Sequence, residues 1–128
     1  MSLARPNYST YICFSKGGFF FSQAVIPKLL KSAAQELKHP PTLLFTGATA
    51  SLKGSAQMSS FAVGKFATRA LAQSLSREFG PQGVHVGHII IDGVIDLPGS
   101  KDYLKDAGPE AKINPDAVSA KSRLWFSV

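Results

Sequence analysis

Residues 42–91 read TLLFTGATASLKGSAQMSSFAVGKFATRALAQSLSREFGPQGVHVGHIII, and the order of patterns within them decides the fold. Thr42, Leu43, Leu44 and Phe45 form a short apolar run, which predicts a strand over 42–45. Small and polar residues follow, with Gly47 and Gly54 among them, and predict a loop over 46–60. Next, Ala62, Phe66, Ala70, Leu75 and Phe79 recur at helical spacing, so 61–79 is expected to be a helix. Ser59 or Ser60 would cap its start, and Gly80 with Pro81 would end it. Lys65, Arg69, Gln73 and Arg77 repeat every four residues on another side and read as a solvated face, with Lys65 set apart by its place near the helix start. The run 84–91 ends in nearly continuous β-branched residues, as in a parallel strand covered on both faces. Residues 42–91 therefore predict one βαβ unit with a right-handed crossover, and an α/β fold class.

Upstream, Phe19, Val25, Ile26, Leu29 and Leu30 recur at spacings of three, four and seven, predicting a helix over about 15–37. Pro27 lies inside it and costs a hydrogen bond. His39, Pro40 and Pro41 stop it. Residues 1–14 read as a loose N-terminus. Downstream, 92–99 reads as a loop and 100–107 as a short helix. Asn114-Pro115-Asp116 is a good helix start, with Asn as the cap and Pro in the first turn. The whole chain, 1–128, is expected to be a single partial domain. Two strands leave both sheet edges and both faces needing cover, so the chain is expected to be incomplete or to lean on a partner.

Composition bounds the function. The net charge is +6, but the 14 Lys and Arg are spread along the chain with no run of five, so nucleic-acid binding is not expected. The single cysteine, Cys13, excludes an internal disulfide and, beside Ile12 and Phe14, is expected to be buried. The most apolar early stretch, 17–30, contains Ser22, Gln23 and Pro27 and falls short of the roughly 20 apolar residues of a membrane span. Lys16 interrupts the place where a signal-peptide core would lie. The expected location is cytoplasmic, with no membrane partner.

Simple catalytic motifs are missing. Gly64-Lys65 is followed by Phe66, so it is not a phosphate-binding loop, and neither G-x-S-x-G nor G-x-G-x-x-G occurs. His39, His85 and His88 make no metal-ligand spacing with Cys13, and no metal is expected. Asp92 and Asp96 read as turn formers. In open α/β sheets ligands bind beyond the carboxyl ends of the strands. The two loops there, and the helix start with Phe61 and Lys65, are the candidate site.

These residues carry a resemblance. Leu43-Leu44-Phe45-Thr46-Gly47-Ala48-Thr49-Ala50-Ser51 resembles the fifth strand and following loop of the short-chain dehydrogenases/reductases. Ser59-Ser60-Phe61-Ala62-Val63-Gly64-Lys65-Phe66-Ala67 resembles their Tyr-x-x-x-Lys helix. The run from Ala70 to Val86 is similar to the passage from that helix into the sixth strand, and Asp92-Gly93-Val94-Ile95-Asp96 stands where the family has Pro-Gly-x-Val. Gly18-Phe19-Phe20-Phe21-Ser22-Gln23-Ala24-Val25-Ile26-Pro27 looks like the fourth helix. Residues 15–98 are family-like and 99–128 form a divergent tail.

The resemblance implies a partial Rossmann-like, doubly wound fold lacking the N-terminal cofactor-binding half. It implies descent from NAD- or NADP-dependent oxidoreductases acting on carbonyl or alcohol groups. It assigns catalytic positions to Lys65, to Phe61 at the tyrosine position and, as a stand-in hydroxyl, to Ser51. It places cofactor contacts at Lys65, Thr46, Asp92, Gly93 and Ile95. The departures are as specific. Phe61 has no ionisable group, Ala48 stands at the substrate-steadying serine, and Phe14 aligns with the asparagine of the fourth helix. The isolated chain is therefore expected to be inactive or weakly active and to bind cofactor poorly. The resemblance also implies a homodimer or homo-oligomer through helices 15–37 and 61–79, and the alternative function is a non-catalytic self-association or partner-binding remnant.

Overall fold

A computed structural model describes residues 13–35, 37–100 and 112–124. The elements run as a π-helical turn Cys13–Gly17, helix α1 (Gly18–Ala33), strand β1 (Thr42–Ala48), a 3-10 turn Thr49–Ser51 and helix α2 (Ser59–Phe79). A 3-10 turn Gly80–Gln82, strand β2 (His85–Ile91), strand β3 (Val94–Ile95), a 3-10 turn Pro98–Ser100, strand β4 (Lys112–Ile113) and helix α3 (Pro115–Leu124) follow.

β1 and β2 pair in parallel with no slip, from Thr42 opposite His85 to Ala48 opposite Ile91. The predicted βαβ unit is thus present, with α2 as its crossover. Ile26 of α1, Leu43 and Phe45 of β1, Ala72 of α2, and Val84 and Val86 form the buried core, with Leu29, Leu30, Ala33, Leu71, Leu75 and Phe79 packed against it. Leu43 and Phe45 share one face of β1 by strand alternation. Both helices therefore lie on that one face. Gly83 closes the turn into β2 at φ 84, a left-handed conformation that glycine adopts freely. Among the described residues no helix is long and apolar enough to cross a membrane.

Several expectations are corrected. β1 runs three residues past Phe45, to Ala48, because Gly47 and its neighbours continue the ladder with β2. β2 begins at His85 rather than Val84, whose N–H turns back to donate to Phe79 O. α2 starts at Ser59, so neither Ser59 nor Ser60 caps it; Met58 holds the cap position without a side-chain hydrogen bond. Its buried face is Ala62, Gly64, Lys65, Thr68 and Ala72, while Phe66 and Ala70 are exposed. Small residues let the first half of α2 approach β1 closely, which turns Phe66 outward.

α1 ends at Ala33 instead of 37, with Ala34 N–H closing on Leu30 O. Leu37 is exposed and offers no core contact to prolong the helix. Cys13 is exposed, because the π-helical turn that carries it buries none of its residues. The 92–99 loop contains β3, which pairs in parallel with β4 (Val94 opposite Lys112, Ile95 opposite Ile113), so the tail is not purely helical. α3 starts where Asn114 predicts: its Oδ1 accepts the N–H groups of Asp116 at 2.7 Å and Ala117 at 3.4 Å. Of the expected 100–107 helix only Ser100 is described, at the end of a 3-10 turn. The expected loose end lies outside the described residues up to residue 12.

Candidate functional site at the carboxyl ends of β1 and β2

The first turns of α2 carry Phe61 and Lys65 four residues apart, one helical turn, so both side chains project from the same face. That face meets the end of β1. Lys65 is 6% exposed, and its Nζ donates to the backbone carbonyl of Thr46 at 2.9 Å. The ammonium lies 4.2 Å from the centroid of the Phe14 ring and 5.7 Å from that of Phe61. The two rings meet edge to face, 5.8 Å apart at 77°. Both distances fall within the range in which a ring quadrupole attracts a cation. Burial pulls the Lys65 pKa below its ordinary 10.5, because an ammonium loses hydration there. The aromatic faces and the Thr46 carbonyl oppose that loss by favouring the charged form.

Phe14 reaches this position through the π-helical turn ahead of α1. Thr68 fixes the turn from the side: its Oγ1 shares its proton between Phe14 O at 3.2 Å and Gly64 O at 2.9 Å. Such turns concentrate at functional sites. Residues 13 and 14 are therefore part of the site and not of a loose end.

Beyond β1, Ser51 is fully buried and its Oγ accepts the Ala48 N–H at 3.1 Å. Arg69, one turn beyond Lys65, donates from Nη1 to Ser51 O at 3.3 Å. Thr49 Oγ1 donates to a carboxylate oxygen of Asp92, tying the exit of β1 to the exit of β2. Asp92 and Gly93 are exposed. Ile95 sits in β3 opposite Ile113, and its carbonyl accepts the Ser100 hydroxyl at 2.8 Å.

The structure thus brings Phe14, Thr46, Phe61 and Lys65 into one cluster. Asp92 joins the neighbouring Thr49 link, and the contacts of Ile95 run toward β4 instead. Ala48 presents no hydroxyl. Sequence reasoning missed His88 and Arg69. His88 packs over Gly47, and its buried Nε2 has no hydrogen-bond partner. Desolvation, then Arg69 and then Lys65, hold its pKa below 6.5. The available signal was a bulky strand residue whose parallel register brings it beside a glycine. Among the described residues no group of three or more His, Cys, Asp or Glu could hold a metal ion.

No family model matches the sequence, and no curated protein matches it. Among solved structures, the crystal structure of a short-chain dehydrogenase from Rhodopseudomonas palustris is similar over 88% of this chain, at 31% identity and a TM-score of 0.59. The chain spans about half of that protein, 53% of its length. The shared parallel βαβ unit and this level of identity relate the chain to a short-chain dehydrogenase, and with it to an oxidoreductase lineage carried on a partial Rossmann-like fold.

Proposed function

We propose that this chain is the active-site half of a short-chain dehydrogenase/reductase, retained as a scaffold that does not turn over a carbonyl or alcohol by itself. The observation that carries the reading is the Phe14–Phe61 clamp on Lys65. In the ancestral chemistry implied by the resemblance, a hydride passes between a nicotinamide and a carbonyl carbon while a tyrosine moves the proton. Here Phe61 can move no proton, and losing a positioned general acid costs about 10²–10⁴-fold in rate. Ser51 is a poor replacement, because its hydroxyl is fully buried and its Oγ is held by the Ala48 N–H.

The residues present do not fit a whole dinucleotide. Lys65 is satisfied by Thr46 and two rings, Asp92 is engaged by Thr49, and no G-x-G-x-x-G turn in these residues cradles a pyrophosphate. Titration of the chain with NADH or NADPH, followed by nicotinamide fluorescence, is expected to show no saturable binding. Micromolar binding would overturn the scaffold reading. Phe61→Tyr, assayed together with the complementary half, is expected to raise carbonyl reductase activity if Lys65 and Thr46 remain aligned. An unchanged rate would place the further defect at Ala48 and Phe14.

A second observation supports self-association as what the scaffold does. A groove of about 420 Å³ between α1 and α2 is lined by Phe19, Ile26, Leu30, Leu71, Leu75 and Phe79. Phe20 and Phe21 are 61% and 57% exposed on α1, and Phe66 is 42% exposed on α2. Apolar surface of this kind marks an interaction face, and a second copy pairing through the same two helices would cover it. Sedimentation velocity is expected to give a dimer that Phe20→Ser and Phe21→Ser dissociate. A monomer at all concentrations would remove this reading and leave the reading of Phe61 and Lys65 untouched.

A further inference from the structure

The outer face of α1 joins exposed phenylalanines to lysines with no carboxylate between them. Successive residues of a helix turn by about 100°, so Phe19, Phe20 and Phe21 fan around its start. Phe19 turns into the groove shared with α2. Phe20 and Phe21, 61% and 57% exposed, point away from the core side, which buried Ser22 and Ile26 mark. Lys28 lies two turns beyond Phe21 and Lys31 three turns beyond Phe20, both exposed on that outer side. Lys16 stands in the turn just before the helix. Across the groove, α2 exposes Val63 and Phe66. Residues 1–35 contain no Asp or Glu, and up to Ile91 nine Lys and Arg stand against Glu36 and Glu78 alone. Of those two, Glu78 lines the groove and not the outer face of α1.

We propose that this face binds the surface of an anionic lipid bilayer, with Phe20, Phe21 and Phe66 among the upper acyl chains and Lys28 and Lys31 at the headgroups. Lysine stems lie along apolar surface while the ammonium stays in a charged, wet layer. Exposed aromatic rings supply the apolar part of such binding and each lysine near an anionic leaflet adds attraction. α1 has 16 residues and packs on the core through Ile26, so it lies along the bilayer and does not span it. A second copy would bring to this face the same lysines and, from its own α1, no carboxylate to meet them. A nucleic acid would use the lysines and leave most of the apolar surface uncovered. Lipid and a second copy exclude one another here, and vesicle binding does not depend on whether the free chain pairs.

The test is flotation of the full chain with vesicles of phosphatidylcholine alone or of phosphatidylcholine with phosphatidylserine. The anionic vesicles are expected to bind at least about tenfold more tightly, and less so as salt is raised. Phe20→Ser with Phe21→Ser, and separately Lys28→Gln with Lys31→Gln, are each expected to weaken that binding by about tenfold or more. Leu97→Ser, at an exposed apolar residue beyond β3, is expected to leave it unchanged. Phe20→Trp is expected to shift its emission to the blue on anionic vesicles, a readout that needs no loss of binding. A chain that stays off anionic vesicles at concentrations where sedimentation shows a monomer would overturn the proposal. So would equal binding to both kinds of vesicle, or binding that survives loss of the two phenylalanines and is displaced by a short RNA.

Discussion

Gly47→Ala tests the packing beneath the site. Glycine inside a strand ordinarily costs about 0.5–1 kcal/mol relative to alanine, so a roomy position would gain stability from the change. At Gly47 the added Cβ would lie 2.3 Å from His88 Cε1, 2.4 Å from His88 Nε2 and 3.0 Å from the Ile89 carbonyl oxygen. Carbon atoms in contact sit at about 3.5–4.0 Å, so the imidazole must move by more than an ångström. Overpacking of this degree costs about 1–3 kcal/mol. The Ile89 oxygen is backbone and cannot swing aside, which puts the expected loss in the upper half of that range. With a urea slope of about 1–3 kcal/mol/M, the midpoint should fall by roughly 1 M. The decisive measurement is a double-mutant cycle with His88→Ala, followed by far-UV circular dichroism. Removing the ring should recover at least about 1 kcal/mol of the Gly47→Ala loss, with a remainder set by Ile89, as expected for residues in contact. A stabilised Gly47→Ala chain, or the same loss with and without His88, would refute the contact.

Three further outcomes follow from named geometry. Lys65→Met removes a charge-assisted bond to Thr46 O and the Phe14 contact, but also relieves the desolvation of a buried ammonium; replacing buried charge with an apolar side chain of similar volume is often neutral or stabilising by about 1–4 kcal/mol. The urea midpoint is therefore expected to hold or rise, and a loss beyond about 2 kcal/mol would make the clamped lysine a pillar of the fold, because a lost charged bond is worth about 1.5–3 kcal/mol. His88 sets an acid dependence. Its folded pKa lies below the unfolded 6.5, so between the two the unfolded chain holds more protons; its contribution is fully present above 6.5 and lost as pH falls through the folded pKa. Urea melts from neutral pH downward should show this slope, and His88→Asn should flatten it. Finally, Asn114→Ala removes the acceptor for the Asp116 and Ala117 N–H groups and should cost about 1 kcal/mol, seen as faster amide exchange in the first turn of α3.

The βαβ unit was legible because its strand and helix patterns are local and its connections short. The extension of β1 through Thr46, Gly47 and Ala48 was not. Those residues have turn composition, yet Gly47 is there to admit His88, a neighbour set by long-range register. Lys65 and Phe61 were legible from their spacing. Their clamp was not, because Phe14 lies before α1 and reaches the site through a π-helical turn held by Thr68. The apolar stripe drawn through Phe66 failed for the complementary reason. A periodic pattern gives a face but not its partner, and here small residues and a buried lysine form the inner face. β3 and β4 are two residues each, too short to leave a pattern, and exist only by pairing with one another.

The parallel, unslipped pairing of Thr42–Ala48 with His85–Ile91 also governs how the chain reaches this state. No hairpin can nucleate the sheet, since every rung joins residues separated by all of α2. Loop closure must be met before any rung rewards it, and topologies of this kind fold slowly. α2 shortens the gap once helical, so substitutions that weaken it should slow folding more than they speed unfolding. Until the strands meet, the β-branched end of β2 is an open template for another chain, and the rate of collapse sets the yield of folded protein.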